Sequence, residues 1–255
     1  MSKGISISSL TVRFGGVTAL DNVSLAVQKG EVAGVIGPNG SGKSTLFNAI
    51  SGIVRPSSGT ITIDGLDALA VAPEKLVRLG LARTFQTPRI DPGLPAGDAI
   101  LCGFQTMARQ SIVDAMLHLP RQRQEEARMH EACDSILEKL GLKDVRDVPL
   151  GELPMGQVRL VDVGRAMACK PHYLLLDEPA AGLSLPEQRR LASAIRLLAA
   201  EGVGVLLVEH NFGLVGELCR NVTVLDRGRT LLKGDVESVR SNPEFLRTYL
   251  GSHAA

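Results

Sequence analysis

The stretch EVAGVIGPNGSGKST, Glu31 to Thr45, constrains this chain more than any other. Val32 to Ile36 is a short, partly β-branched apolar run of the kind that forms a buried strand. Gly37 to Ser44, GPNGSGKS, then matches G-x-x-x-x-G-K-[ST] at every fixed position. Leu46, Phe47, Ala49 and Ile50 follow at helical spacing. Glycines at Gly37, Gly40 and Gly42 let the backbone curl through Pro38, Asn39 and Ser41 so that several N–H groups converge on one point. The helix that follows adds the partial positive charge of its N-terminus. A phosphate group is what such a concavity holds. Lys43 can reach the β- and γ-phosphates of a nucleotide, Ser44 can offer its hydroxyl to Mg²⁺, and Thr45 continues the first turn.

At 255 residues the chain can bury a large core, as one domain or one domain with a subdomain. A formal net charge of +1 argues against a strongly basic nucleic-acid binder. No apolar run approaches the roughly 20 residues that span a bilayer, so any link to a membrane is expected to go through a partner. The N-terminal MSKGISISSL lacks the apolar core of a signal peptide. Cys102, Cys133, Cys169 and Cys219 are scattered without a C-x-x-C pair and read as reduced, mostly structural thiols of a cytosolic protein.

Along the chain, Ile5 to Phe14 and Thr18 to Val27 read as an antiparallel pair turned at Gly15–Gly16. Gly52 suits the stop of the first helix. Gly59 to Ile63 reads as a strand ended by an Asp64–Gly65 turn. From about 100 to about 149 strand signals vanish and charge rises. Met129, Cys133, Ile136, Leu137 and Leu140 share one helical face, stopped by Gly141. Arg121, Arg123 and Arg128 stand beside Glu125, Glu126 and Glu131, a mix of signs that describes a solvated helix face rather than a nucleic-acid patch. The α/β pattern then returns. Tyr173 to Leu176 is an apolar strand, and Ser184-x-x-Glu187 reads as a capping box for a helix burying Leu191, Ala194, Ile195 and Leu198. Gly204 to Val208 is another buried strand, and Asn221 to Leu225 with Thr230 to Lys233 forms a hairpin through Asp226–Gly228. A helical tail carries Phe245, Leu246, Tyr249 and Leu250. The expected organisation is one α/β domain: a core with an antiparallel β subdomain over 1–99 and 150–255, and a helical insert over about 100–149.

A phosphate loop alone is compatible with many functions, and the acidic strand end narrows them. LLLDEP, Leu174 to Pro179, is an apolar strand ending in two carboxylates. Asp177 can hold Mg²⁺ through water and Glu178 can polarise a water for attack on a γ-phosphate. His210 lies just past a buried strand, where α/β sheets place ligand-binding groups. A histidine there is by itself more often structural, and Gln86 in RTFQ is by itself an unremarkable amide.

Taken in order, GPNGSGKST, Gln86, LPMGQ at Leu153 to Gln157, LLLDEP and His210 resemble the ATP-binding subunit of an ABC transporter, over nearly the whole chain. The resemblance implies a P-loop ATPase core of the ABC type and activity as an ATP hydrolase. It implies that Phe14 stacks on adenine, that Gln86 links nucleotide and Mg²⁺ to membrane subunits, and that His210 contacts the γ-phosphate. Two such subunits would sandwich ATP, each phosphate loop facing the partner's signature segment, here Leu153, Pro154, Met155, Gly156 and Gln157. ARTFQ, PAAGLS, VEHN and SNPEFLRTYLG are similar to the ATPases of branched-chain amino acid importers, and the length suits the larger of their two ATPases. Importers of amides, urea or aromatic acids share these features. The implied partners are transmembrane permease subunits, a second identical or different ATPase, and indirectly an extracytoplasmic solute-binding protein. The implied location is cytoplasmic, on the inner face of the plasma membrane. Two other classes stay open: a soluble ABC-type ATPase acting on DNA or ribosomes, and an ATP-gated interaction module with weak hydrolysis.

Two positions depart from the family pattern. Where the usual signature reads L-S-G-G-Q, Pro154 lacks both the serine hydroxyl and a backbone N–H. Met155 adds bulk where backbone must approach closely. Proline is tolerated in the first turn of a helix, and Leu160, Val163, Gly164 and Met167 continue a helical face, so the helix is expected to survive. Ser184 stands where many members carry Asp, and branched-chain members often Asn.

Overall fold

The computed structural model describes residues 4–105 and 120–250, and side chains within those spans except at 105, 120–123 and 248–250. Residues 106–119 of the expected helical insert lie outside the described residues. The same holds for the side chains of Arg121, Arg123, Tyr249 and Leu250. The chain divides into two compact units. One comprises Met1–Arg83, His172–Glu178 and Ile195–Ala255; the other comprises Thr84–Pro171 and Pro179–Ala194.

The first unit holds two sheets. β1 (Gly4–Phe14) and β2 (Val17–Gln28) pair antiparallel, as their alternating patterns require, with Gly15 at φ +56° in the turn. β4 (Ser58–Ile63) adds to β1, and β5 (Leu66–Asp67) returns along β4 through Asp64 and Gly65. The φ values there are +50° and +84°, as the tightest hairpin turn demands. The order of this sheet is β2-β1-β4-β5. β5 is too short to carry an alternation.

The second sheet runs β10-β9-β3-β8-β7-β6. Its members are β3 (Val32–Ile36), β6 (Leu81–Arg83), β7 (Tyr173–Asp177), β8 (Gly204–Val208), β9 (Asn221–Asp226) and β10 (Arg229–Asp235). β6, β7, β8, β3 and β9 are mutually parallel, and β10 closes the edge antiparallel to β9. β3, β7 and β8 are buried at every residue, which is why they read as unbroken apolar runs. Helix α1 (Lys43–Ile50) follows β3 and places Leu46, Phe47, Ala49 and Ile50 in the core. Gly52, at φ +71°, sits just past its Ser51 cap, and Ile53 N–H bonds back to Asn48 O. The core of this unit joins Leu10, Leu20 and Ile61 from the antiparallel sheet to Phe47, Leu175 and Leu206. Short helices α2 (Pro73–Leu76), α7 (Phe212–Leu218), α8 (Val236–Arg240) and α9 (Pro243–Leu250) complete the unit, with the Phe245 and Phe212 rings 5.0 Å apart.

The second unit is helical: α3 (Ala96–Gln105), α4 (Pro120–Leu140), α5 (Met155–Ala168) and the start of α6 (Leu185–Ala200). Cys133, Ile136, Leu137 and Leu140 are buried and Met129 is half-buried, on the face that their spacing marks out. Gly164 of α5 lies where a Cβ would meet Ile100, Ile136 and Leu140, so the three helices meet at that point. Leu191, Ala194, Ile195 and Leu198 form the buried face of α6. At its start Ser184 N–H and Oγ both donate to Glu187 Oε2, at 2.8 and 2.6 Å. This is the glutamate half of a capping box. Among the described residues, Cys133 and Cys219 are buried, Cys169 is half-buried and Cys102 is exposed, and none of the four forms a disulfide. No described helix is long and apolar enough to cross a membrane.

Candidate nucleotide site

Sheet order brings the chemistry-bearing segments of the first unit together. β3, β8 and β7 are adjacent and parallel, with Val35 paired to Val208 and Val208 to Asp177, so their C-terminal ends lie side by side. The phosphate loop leaves β3, the acidic pair ends β7, and His210 follows β8. Ligands of open α/β sheets bind at that edge.

In the loop, Gly42 caps α1 at φ +105° without any side-chain capping bond, and no acidic residue occupies the first turn. The orphan N–H groups of the helix start are left for an anion. Lys43 is buried, and its Nζ donates to the carbonyls of Gly37 and Pro38 at 2.8 and 3.0 Å, folding the side chain back over the loop. Burial lowers the Lys43 pKa against the opposing pull of Glu178 and Asp177. Ser44 is exposed at the helix start, as Asn39 and Gly40 are at the loop tip. Phe14, at the end of β1, is half exposed.

Asp177 is 4% exposed, and its Oδ2 accepts from Arg83 Nη2 at 3.1 Å. Burial raises its pKa, with Arg83 pulling the other way. Arg83 reaches further: its Nη1 donates to Asn48 Oδ1 and Ser51 Oγ at 2.9 and 3.1 Å, and its guanidinium lies 5.5 Å from the centre of the Phe47 ring. This arginine, overlooked beside Gln86 in ARTFQ, ties the end of β6 to α1 and to the acidic strand end. Its only sequence signal is a charge closing a short apolar strand.

Glu178 takes φ +48°, rare for a residue with a side chain, and its N–H bonds to Val208 O at 2.9 Å. Such a conformation persists only where surrounding bonds impose it. His210 Nδ1 lies 3.9 Å from Glu178 Oε2 and 3.8 Å from the fully buried Glu209. Lys43, Asp177, Glu178 and His210 therefore belong to one edge of one unit.

The remaining candidates belong to the second unit. Gln86 is exposed, and the N–H of Phe85 beside it bonds to Asp162 Oδ2 of α5 at 3.3 Å, a carboxylate also paired with Arg165. In LPMGQ the helix does survive, but Pro154 stands just before it rather than in its first turn. Its ψ is 144°, and its carbonyl accepts from Val158 N–H at 3.1 Å. The cap position needs no N–H from its residue, which suits proline there. Pro154 and Met155 are exposed, Leu153 and Gln157 half-buried, and Gly156 lies against the Gly182 carbonyl.

A phosphate loop between a buried strand and a helix, an acidic strand end and a histidine just past the neighbouring strand define a P-loop ATPase of the cassette type. The profile of the ABC transporter family matches residues 20–181, and this chain belongs to that family. Among its relatives it is 35% identical to the "High-affinity branched-chain amino acid transport ATP-binding protein BraF" of Pseudomonas aeruginosa, over 97% of each chain. It is 32% identical, again over 97% of each, to the branched-chain amino acid transport ATP-binding protein LivG of Escherichia coli. The solved structure of the ADP conformation of an ATP-binding cassette from an ABC transporter superposes with a TM-score of 0.82 at 31% identity, covering 98% of this chain and all of that one.

Proposed function

We propose that this chain is the ATP-binding and ATP-hydrolysing subunit of an importer whose cargo is a branched-chain amino acid or a related small amide or amino-acid solute. The convergence of Lys43, Asp177, Glu178 and His210 on one sheet edge carries the reading. In this assignment the loop from Gly37 to Thr45 holds the phosphates, with Lys43 exchanging its loop carbonyls for phosphate oxygens. Phe14 stacks on the adenine. Glu178 accepts a proton from the attacking water, and His210, a neighbour of Glu178, contacts the γ-phosphate.

Mg²⁺ fits the donors at hand. Ser44 and Asp177 are oxygen donors, the ligand type that a hard cation takes together with phosphates and water. It would be held by Ser44 and Asp177, and when bound it would neutralise phosphate charge. A second ATPase subunit completes each pocket with its signature segment, and this chain's Leu153–Gln157 serves the partner's pocket in return. Permease subunits, with a solute-binding protein outside the membrane, select the cargo and hold the subunit at the inner membrane face.

Two measurements test this. ATPase activity of the chain with and without its co-purified membrane and ATPase partners should rise on assembly; full activity alone and no co-purifying permease would refute the importer. Glu178→Gln should bind ATP and cut steady-state hydrolysis by at least about 100-fold, trapping an ATP-bound dimer. Undiminished turnover would remove Glu178 from catalysis.

A further inference from the structure

The turn between β9 and β10 touches the phosphate loop directly, and no motif singles it out. Gly228 N–H donates to the carbonyl of Ser41 at 3.0 Å, while the Gly228 carbonyl accepts from Asp21 N–H of β2 at 2.8 Å. One residue thus bridges the loop and the antiparallel sheet. It must be glycine: φ is +79°, and a Cβ would stand 2.6 Å from the carbonyl oxygen of Ala19. The fit continues on either side. A Cβ at Gly37 would lie 2.2 Å from the Leu225 carbonyl oxygen, so the end of β9 abuts the start of the loop. Next to the bridge, Arg229 grips Asp21 Oδ2 with Nε and Nη2 at 2.9 and 2.7 Å, an exposed, two-pronged pair that buckles the turn to β2.

We propose that Asp21, Gly228 and Arg229 form a strap that positions the phosphate loop and sets its distance from the adenine subsite. β2 leads back through its hairpin to Phe14, so the strap joins the strand pair carrying the base-stacking ring to the loop carrying the phosphates. Without it, the Ser41 carbonyl loses its donor and the loop is free to turn its N–H groups away from a phosphate. These are positioning residues, assigned to act through the phosphate loop rather than on the nucleotide. The inference rests on the nucleotide-site reading above.

The test is affinity for a fluorescent ADP analogue, and KM for ATP, measured on the full chain well below its melting temperature. Gly228→Ala should weaken nucleotide binding by about 10-fold or more, since it must either adopt a strained backbone or leave Ala19. KM should rise by more than kcat falls. Arg229→Asp and Asp21→Arg should each weaken binding by about threefold, the scale of an exposed ion pair, and the doubly reversed variant should recover to within about twofold of wild type. A merely structural role would lower the melting temperature without this pattern. If Lys43→Ala loses ADP while Gly228→Ala and Arg229→Asp bind within about twofold of wild type, the strap is wrong and the site stands. If Lys43→Ala binds as tightly as wild type, the site reading fails and the strap falls with it. Should Gly228→Ala not fold, the charge reversals decide: no loss in the single variants, or no recovery in the double, overturns the proposal.

Discussion

Arg83 and Asp177 bury opposite charges with side chains 8% and 5% exposed. Desolvating such a pair costs nearly as much as their attraction returns, but removing one partner strands the other. Arg83→Met should therefore destabilise the first unit by about 3 kcal/mol, because Asp177 stays buried without the ion pair that Arg83 supplies. Adding Asp177→Asn to Arg83→Met should recover part of that loss. Chemical denaturation of the two variants without nucleotide checks it; equal stability of Arg83→Met and wild type would mean that the pair bears no weight. The energetic argument concerns the fold, and the same bonds hold the Asp177 carboxylate in one orientation at the strand end.

At the scale of elements, helix packing and strand ends decide what local propensity cannot. Gly103 lies inside α3, where alanine ordinarily stabilises a helix by about 1 kcal/mol. Here a Cβ would stand 2.2 Å from the Arg165 carbonyl oxygen of α5. Backbone cannot yield as a flexible side chain can, so the clash wins and Gly103→Ala should destabilise by about 2 kcal/mol. A higher melting temperature in that variant would show that the helices separate at no cost.

Strand β7 starts at Tyr173, fully buried, whose hydroxyl donates to Asp64 Oδ1 in the β4–β5 turn. Burial, then the bond to Asp64, raises the phenol pKa far above its ordinary value of 10.0. A pKa raised on folding gives stability that is full below about pH 10 and is lost as pH climbs from there towards the folded value. Tyr173→Phe should cost about 1–2 kcal/mol at neutral pH, and its stability should fall less steeply above pH 10 than that of wild type. Parallel alkaline limbs in pH-dependent denaturation would contradict this.

For the whole molecule, the departure at Pro154 concerns, in the proposed dimer, the pocket of the partner subunit. The helix behind it is intact, and Met155 is 58% exposed at its first residue. What the segment lacks is the hydroxyl and the N–H that, in the proposed dimer, the usual serine would present to a phosphate held by the partner. One such donor is worth about 3 kcal/mol in the transition state. In a pair with a different ATPase, the site using this chain's Lys43 and Glu178 should turn over faster than the site served by Leu153–Gln157. Pro154→Ser should raise the slower one by about 10-fold or more. Single-site turnover in the assembled pair measures both, and equal rates would sink the asymmetry.

Much of this protein was legible in one dimension because its cues are local. Glycine spacing and a following helix define the phosphate loop, unbroken apolar runs mark β3, β7 and β8, and a positive-φ Asp–Gly pair marks the β4–β5 turn. A proline at the cap and one in the first turn leave the same trace in a sequence, and only the backbone at Pro154, with ψ at 144°, separates the two. The sequence by itself determined which groups the proposed site draws on: a lysine and a hydroxyl at the start of α1, two carboxylates at the end of β7 and a histidine past β8. Tertiary structure alone decided what holds them. Arg83 meets Asp177 across 94 positions and Arg229 meets Asp21 across 208. Gly228 bonds the loop only because β9 is laid beside β3. Such partnerships depend on sheet order and register, which arise when distant apolar strands are buried together, and no short window of residues records them.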